Sequence, residues 1–124
     1  MPVTNPNDMS RAFVEALNAG SVEALLELYE PNVKYVIRSG KIIEGRAAVR
    51  ETLERLVAAK GKMQIDNTYC LISDNIALVR AQWSFTGIGQ DRKPIESRGN
   101  SAEVLRRGAD GRWRYLIDHP FGAG

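Results

Sequence analysis

Two long stretches of alternating character, residues 76–86 (IALVRAQWSFT) and 94–107 (PIESRGNSAEVLRR), limit the fold more than any other part of this 124-residue chain. A two-residue period sustained over such lengths belongs to a pleated strand, whose successive side chains point to opposite faces. In the first stretch Ala77, Val79, Ala81, Trp83 and Phe85 share one side, and Ile76, Leu78, Arg80, Gln82 and Ser84 the other. In the second, Ser101, Glu103 and Leu105 oppose Arg98, Asn100, Ala102 and Val104. Arg80 and Glu103 therefore interrupt otherwise apolar segments of neighbouring strands. A charge so placed has to be paired or put to use.

The remaining elements follow from caps and punctuation. Residues up to Asn7 are polar with two prolines and read as a loose lead-in. Asp8 is placed to cap a helix with Met9, Phe13, Ala16 and Leu17 at helical spacing, ended by Asn18-Ala19-Gly20. Ser21 caps a second short helix bearing Val22, Leu25, Leu26, Leu28 and Tyr29, with Pro31 as its stop. Residues 33–38 form a strand that turns at Ser39-Gly40 into a return strand, 41–43. A third helix spans 46–59 with Val49, Leu53, Leu56 and Val57 as its buried stripe. Strands at 63–72, 76–86, 94–107 and 112–118 then form an antiparallel meander, joined by turn residues and one longer loop at 87–93. Helices first and sheet afterwards make an α+β domain with the helices on one sheet face. With Ser73-Asp74-Asn75 as the hairpin loop, Ile72 opposes Ile76 and Thr68 opposes Arg80, so Tyr69 and Leu71 join Trp83 and Phe85 on the other face. Both faces are apolar enough to need cover, and a second copy of the chain is the expected cover for the outer one.

Composition excludes several classes. A net charge of +2 comes from scattered basic residues, which gives no footprint for nucleic acid or an anionic membrane. No apolar run approaches the roughly 18–20 residues that span a bilayer. The N-terminus lacks the basic and apolar regions of a signal peptide, and a single cysteine, Cys70, permits no internal disulfide. A cytoplasmic protein with an inert core thiol is expected. His119 is the sole histidine, so no metal-ligand spacing arises, and the glycines around Ile88 lack the strand–turn–helix context of a phosphate loop. No cofactor and no metal are expected.

The order helix, helix, hairpin, helix, meander resembles the nuclear transport factor 2-like superfamily, which includes SnoaL-like polyketide cyclases, ketosteroid isomerases and the association domain of calcium/calmodulin-dependent kinase. The resemblance is carried by FVEALNAG at 13–20, Leu28-Tyr29, GRAAVR at 45–50 and the closing AEVLRRGADGRWRYLIDHPFG at 102–122. It implies one domain over 1–124, a cone in which three N-terminal helices pack in a curved antiparallel sheet around an apolar pocket. It also implies homodimers formed through the outer sheet face. The fold hosts many unrelated activities, so the residues have to choose among them.

Ketosteroid isomerase chemistry needs a general base and two donors, a tyrosine and a protonated aspartate. At the matching positions stand Phe13 for the tyrosine and Ile37 for the base, with Glu103 for the donor aspartate. Phenylalanine cannot donate a hydrogen bond and isoleucine cannot take a proton, which argues against that mechanism. The cyclases place an acid/base aspartate where Asp118 lies, and the kinase domain places pocket arginines on the strands of Arg80 and Glu103. These matches turn the face with Arg80, Gln82, Glu103, Leu105, Leu116 and Asp118 inward, and Trp83, Trp113 and Tyr115 outward. Asp118, Glu103 and Arg80 are the catalytic candidates, and Phe13, Tyr29, Tyr35, Ile37, Leu56, Gln82, Leu105 and Leu116 the ligand-binding ones. Structural roles compete: an Arg80–Glu103 cross-strand ion pair, a hydrogen-bonded strand-end carboxylate at Asp118, and core packing for the tyrosines. The expectation is a binder of a small apolar molecule. As an enzyme it would be a cofactor-free isomerase, lyase or polyketide-cyclase type working by proton transfer. The alternative is a non-catalytic binding or oligomerisation module.

Overall fold

The computed structural model describes residues 2–124. Three helices, α1 (Met9–Asn18), α2 (Val22–Leu26) and α3 (Arg46–Ala58), lie against one face of a curved six-stranded sheet. The strands are β1 (Tyr29–Val36), β2 (Ile42–Glu44), β3 (Lys62–Ser73), β4 (Ile76–Ile88), β5 (Pro94–Arg107) and β6 (Trp113–His119). Their order across the sheet is β2-β1-β6-β5-β4-β3. The meander is antiparallel as its short connections require, whereas β1 joins β6 in parallel and so closes the helical half onto the meander.

The helices start and stop for local reasons. The Ser21 hydroxyl accepts from the Ala24 amide and caps α2, and Gly20, at φ +68°, supplies the left-handed turn after α1. Asp8 does not cap α1 with its side chain; its carboxylate pairs with Arg11 instead. The N-terminal segment is more ordered than its composition suggests. Asn5 caps a 3-10 turn over Pro6–Asp8, and buried Val3 accepts a hydrogen bond from the Trp113 amide.

Tyr29 is the first residue of β1 rather than the end of the second helix, and Pro31 lies inside that strand rather than stopping a helix. The pairing of β1 with β6 is irregular between Tyr29 and Lys34, which is where a residue without an N–H can be carried. The Arg46 guanidinium, at the start of α3, donates twice to the Tyr29 carbonyl and fixes that strand start.

Register is where reasoning from alternation fails. The β3–β4 turn uses two residues, so Ser73 opposes Ile76 and Tyr69 opposes Arg80, and a bulge follows between Asn67 and Tyr69. Across β4 and β5, Val79 opposes Glu103 and Arg80 opposes Ala102. Directly opposed residues share a sheet face, so Arg80 and Glu103 lie on opposite faces. Ala77, Val79, Ala81 and Phe85 are the buried set, with Trp83 packed on them, while Ile76, Leu78 and Gln82 are exposed. The choice follows from desolvation: β4 has one uniformly apolar side and one that includes an arginine, a glutamine and a serine, and the first is the cheaper to bury.

Candidate functional site

The inner face of the sheet and the helices enclose a cavity of about 280 Å³, slightly below the roughly 300–1,000 Å³ typical of small-molecule sites. Its walls are largely aromatic and aliphatic: Phe13 from α1, Leu56 from α3, Met63 and Ile65 from β3, Trp83 and Phe85 from β4, and Tyr115 from β6. Tyr35, Val36, Ile37 and Arg38 line it along β1 and just beyond. Pro120 and Phe121, from the turn after β6, complete the wall. Trp83 fixes that turn by donating its indole N–H to the Pro120 carbonyl at 2.7 Å and by meeting the Phe121 ring edge-on at 5.3 Å.

Glu103 and Asp118 project into this apolar space together. They are register partners on β5 and β6, and both are more than nine-tenths buried. Opposed side chains in such a pair start with Cβ atoms roughly 4.5–5.5 Å apart. Two carboxylates on such opposed positions, out of water, cannot both ionise at ordinary cost. Burial raises Glu103 to about 8, with the Asp118 charge adding to the rise and the Ser101 hydroxyl offsetting part of it. Burial also raises Asp118, to about 6, against a hydrogen bond that favours its ionised form. That bond comes from the Tyr29 hydroxyl, which donates to Asp118 Oδ2 at 2.6 Å. Both shifts favour a pair that still holds a proton near neutral pH. The surrounding phenols keep their protons: burial, then the Asp118 charge, pushes Tyr29, Tyr35 and Tyr115 far up.

Asp118 reaches the cavity through a bulge. Leu105 opposes Tyr115 and Val104 opposes Ile117, which leaves Leu116 unpaired between them. Strict alternation would put Tyr115 and Asp118 on opposite faces; the extra residue turns both inward. Leu116 is therefore not a wall residue, and Tyr115, expected to face away, is one.

Of the sequence candidates, Asp118, Glu103, Phe13, Tyr35, Ile37 and Leu56 meet around one cavity. Tyr29 stands behind Asp118, fully buried, and Leu105 is buried in the core beside the cavity rather than in its wall. Arg80 and Gln82 are on the outer face. The Arg80 guanidinium sits over the Tyr69 ring at 5.8 Å, and no Arg80–Glu103 ion pair exists. Trp83 lies in the wall, and buried Trp113 packs in the core; neither faces outward. Sequence reasoning missed Trp83, Phe85, Tyr115, Arg38 and the 120–121 turn. The signal for the first two was present in the unbroken apolar side of β4. Among the described residues there is no group of three or more His, Cys, Asp or Glu that could hold a metal ion.

The sequence matches the SnoaL-like domain family over residues 10–116. The chain belongs to that family. No curated protein matches it in sequence. Solved structures extend the likeness to the nuclear transport factor 2-like fold. A Xanthomonas campestris protein described as a calcium/calmodulin-dependent protein kinase II association domain superposes with a TM-score of 0.78 at 19% identity, covering 95% of this chain and 86% of that one. A ketosteroid isomerase-like protein from Erwinia carotovora atroseptica gives 0.78 at 15% identity, over 91% and 89%. A Novosphingobium aromaticivorans protein described as a scytalone dehydratase gives 0.79 at 18% identity, over 91% and 78%. At these identities the likeness establishes the SnoaL-like chain's fold and nothing finer.

Proposed function

We propose that this SnoaL-like domain binds a small, largely apolar molecule in the cavity and moves a proton on it, as an isomerase, lyase or cyclase without a cofactor. The carrying observation is the pair Glu103 and Asp118, opposed on adjacent strands and buried within an aromatic wall. Asp118, ionised near neutrality and oriented by Tyr29, takes a proton from the bound molecule. Glu103, still protonated, donates a hydrogen bond or a proton to the oxygen on which charge develops. Phe13 and Ile37 line the same space and can do neither, so the steroid isomerase arrangement is absent while its logic survives in other residues. The lyase option has in its favour a structural neighbour described as a dehydratase.

Base and acid together set an activity window. The rate rises as Asp118 ionises near pH 6 and falls as Glu103 ionises near pH 8. Deuterium uptake from solvent into 2-tetralone, a two-ring ketone with acidic C–H bonds, tests the reading by NMR. The wild type is expected to accelerate exchange with a bell-shaped profile, and Asp118→Asn to lose roughly 10²–10⁴-fold. Full exchange in Asp118→Asn would remove the assignment.

A second observation favours self-association, with or without catalysis. Leu71, Leu78, Val104 and Ile117 form one continuous row across β3, β4, β5 and β6 on the outer face, and Leu71, Leu78 and Ile117 are exposed. In the neighbouring row, Arg80 Nε and His119 Nδ1 are buried without a hydrogen-bond partner. A homodimer through this face supplies the cover that the row lacks.

A further inference from the structure

The charges in the cavity are arranged by position. Among the described residues lining it, Arg38 is the basic side chain and Glu103 and Asp118 are the acidic ones. Tyr35 is the register partner of Asp118 on the parallel strand β1, and Arg38 follows three residues later. β1 ends at Val36, so Arg38 lies in the turn that follows it, past the level of Asp118. Arg38 forms none of the ion pairs present among the described residues, and its guanidinium carbon stands 5.3 Å from the centre of the Phe121 ring. Phe121 is itself held by Trp83, so the guanidinium rests on a fixed platform.

We propose that the cavity's ligand is an amphipathic one- or two-ring compound with a carboxylate or similar planar anion, seated with that anion on Arg38 and its rings between Arg38 and the Glu103–Asp118 pair. An arginine without an acidic partner, solvent-exposed but resting on an aromatic ring beside the cavity, presents its planar fork to an anion at little ordering cost. The reverse orientation is excluded by charge, because it drives the anion against ionised Asp118 in an apolar space. A volume of about 280 Å³ admits one or two rings with a short substituent and leaves little beyond. The anion thereby sets which ring position meets the carboxyl pair. This deepens the proton-transfer reading by naming its substrate class, and it rests on that reading only for what happens after binding.

Binding measured by titration calorimetry at pH 7 separates the two. The probes are 2-naphthoate and its neutral isostere 2-naphthamide, against wild type, Arg38→Gln and Asp118→Asn. Wild type is expected to bind naphthoate at least tenfold more tightly than naphthamide. Arg38→Gln is expected to lower naphthoate to the naphthamide level while leaving naphthamide unchanged, which also shows an intact cavity. Asp118→Asn is expected to keep or increase the naphthoate preference even as deuterium exchange is lost. Equal affinities in wild type, a preference that survives Arg38→Gln, or no binding of either probe at millimolar concentration would overturn the proposal. In the wild type, a naphthoate preference without deuterium exchange overturns the proton-transfer reading alone, and exchange without the preference overturns the anion seat alone.

Discussion

At the scale of single residues, the site depends on two carboxyl groups kept out of water. Glu103 was legible in the sequence because it is an acid set in an apolar stretch, and Asp118 because it falls where the resembling cyclases carry an acid/base aspartate. Arg80 looked equivalent, but which face it occupies is decided by pairing partners that a sequence does not display, and it belongs to the outside. The raised values have a consequence for stability. In the unfolded chain both groups release their protons near pH 4, whereas in the folded chain they hold them to about 6 and 8. The folded state therefore binds more protons between those limits, and stability contributed by the pair is full below about pH 4 and lost as pH rises toward 8. Glu103→Gln, which keeps the shape without the ionisation, is expected to be more stable than wild type at pH 8 by roughly 1–3 kcal/mol and to gain far less at pH 5. Urea denaturation at the two pH values measures this, and equal effects at both would contradict it.

Among the elements, the helices, the hairpin and the meander were readable because the glycine turns, the Ser21 cap and the hydrophobic period agree, even where the Asp8 cap and the Pro31 stop did not hold. The bulges were not. An added residue at Leu116, or between Asn67 and Tyr69, leaves no compositional mark, yet it reverses every facing beyond it. Tyr29 was misplaced for a related reason: leucines and a tyrosine suit a helix end and a strand start equally, and β6 decided between them by donating the Tyr115 amide to the Leu28 carbonyl. The β4–β5 ladder also carries a close fit that forms part of the cavity wall. A Cβ at Gly99 would lie 2.9 Å from the Trp83 indole, so the ring sits flat against bare backbone. Gly99→Ala is expected to displace Trp83, break its bond to Pro120 and cost about 1–3 kcal/mol. Thermal melting with tryptophan emission checks both parts, and an unshifted spectrum with unchanged melting would contradict them.

On the scale of the whole molecule, one sheet serves two surfaces. Its inner face forms the cavity, and its outer face carries the leucine–valine–isoleucine row. That both sheet faces carry apolar residues was legible from the alternation alone, although the residues assigned to each face were partly exchanged. If the row is the seat of a homodimer, sedimentation of the wild type gives twice the 13.8 kDa chain mass, and Leu78→Lys gives the chain mass with an unchanged circular dichroism spectrum. A wild type that sediments as a single chain at 100 μM (about the concentration of a crystallisation stock diluted tenfold) would contradict it. The central claim, that the hollow holds a carboxyl pair sharing one proton, needs neither a substrate nor a partner to be tested. Carbon-13 NMR of the side-chain carboxyls across pH 3–10 observes it directly. The expected result is two resonances still shifting between pH 5 and 9, with midpoints near 6 and 8, one lost in Asp118→Asn and the other in Glu103→Gln. Every carboxyl fully ionised by pH 5.5 would contradict it.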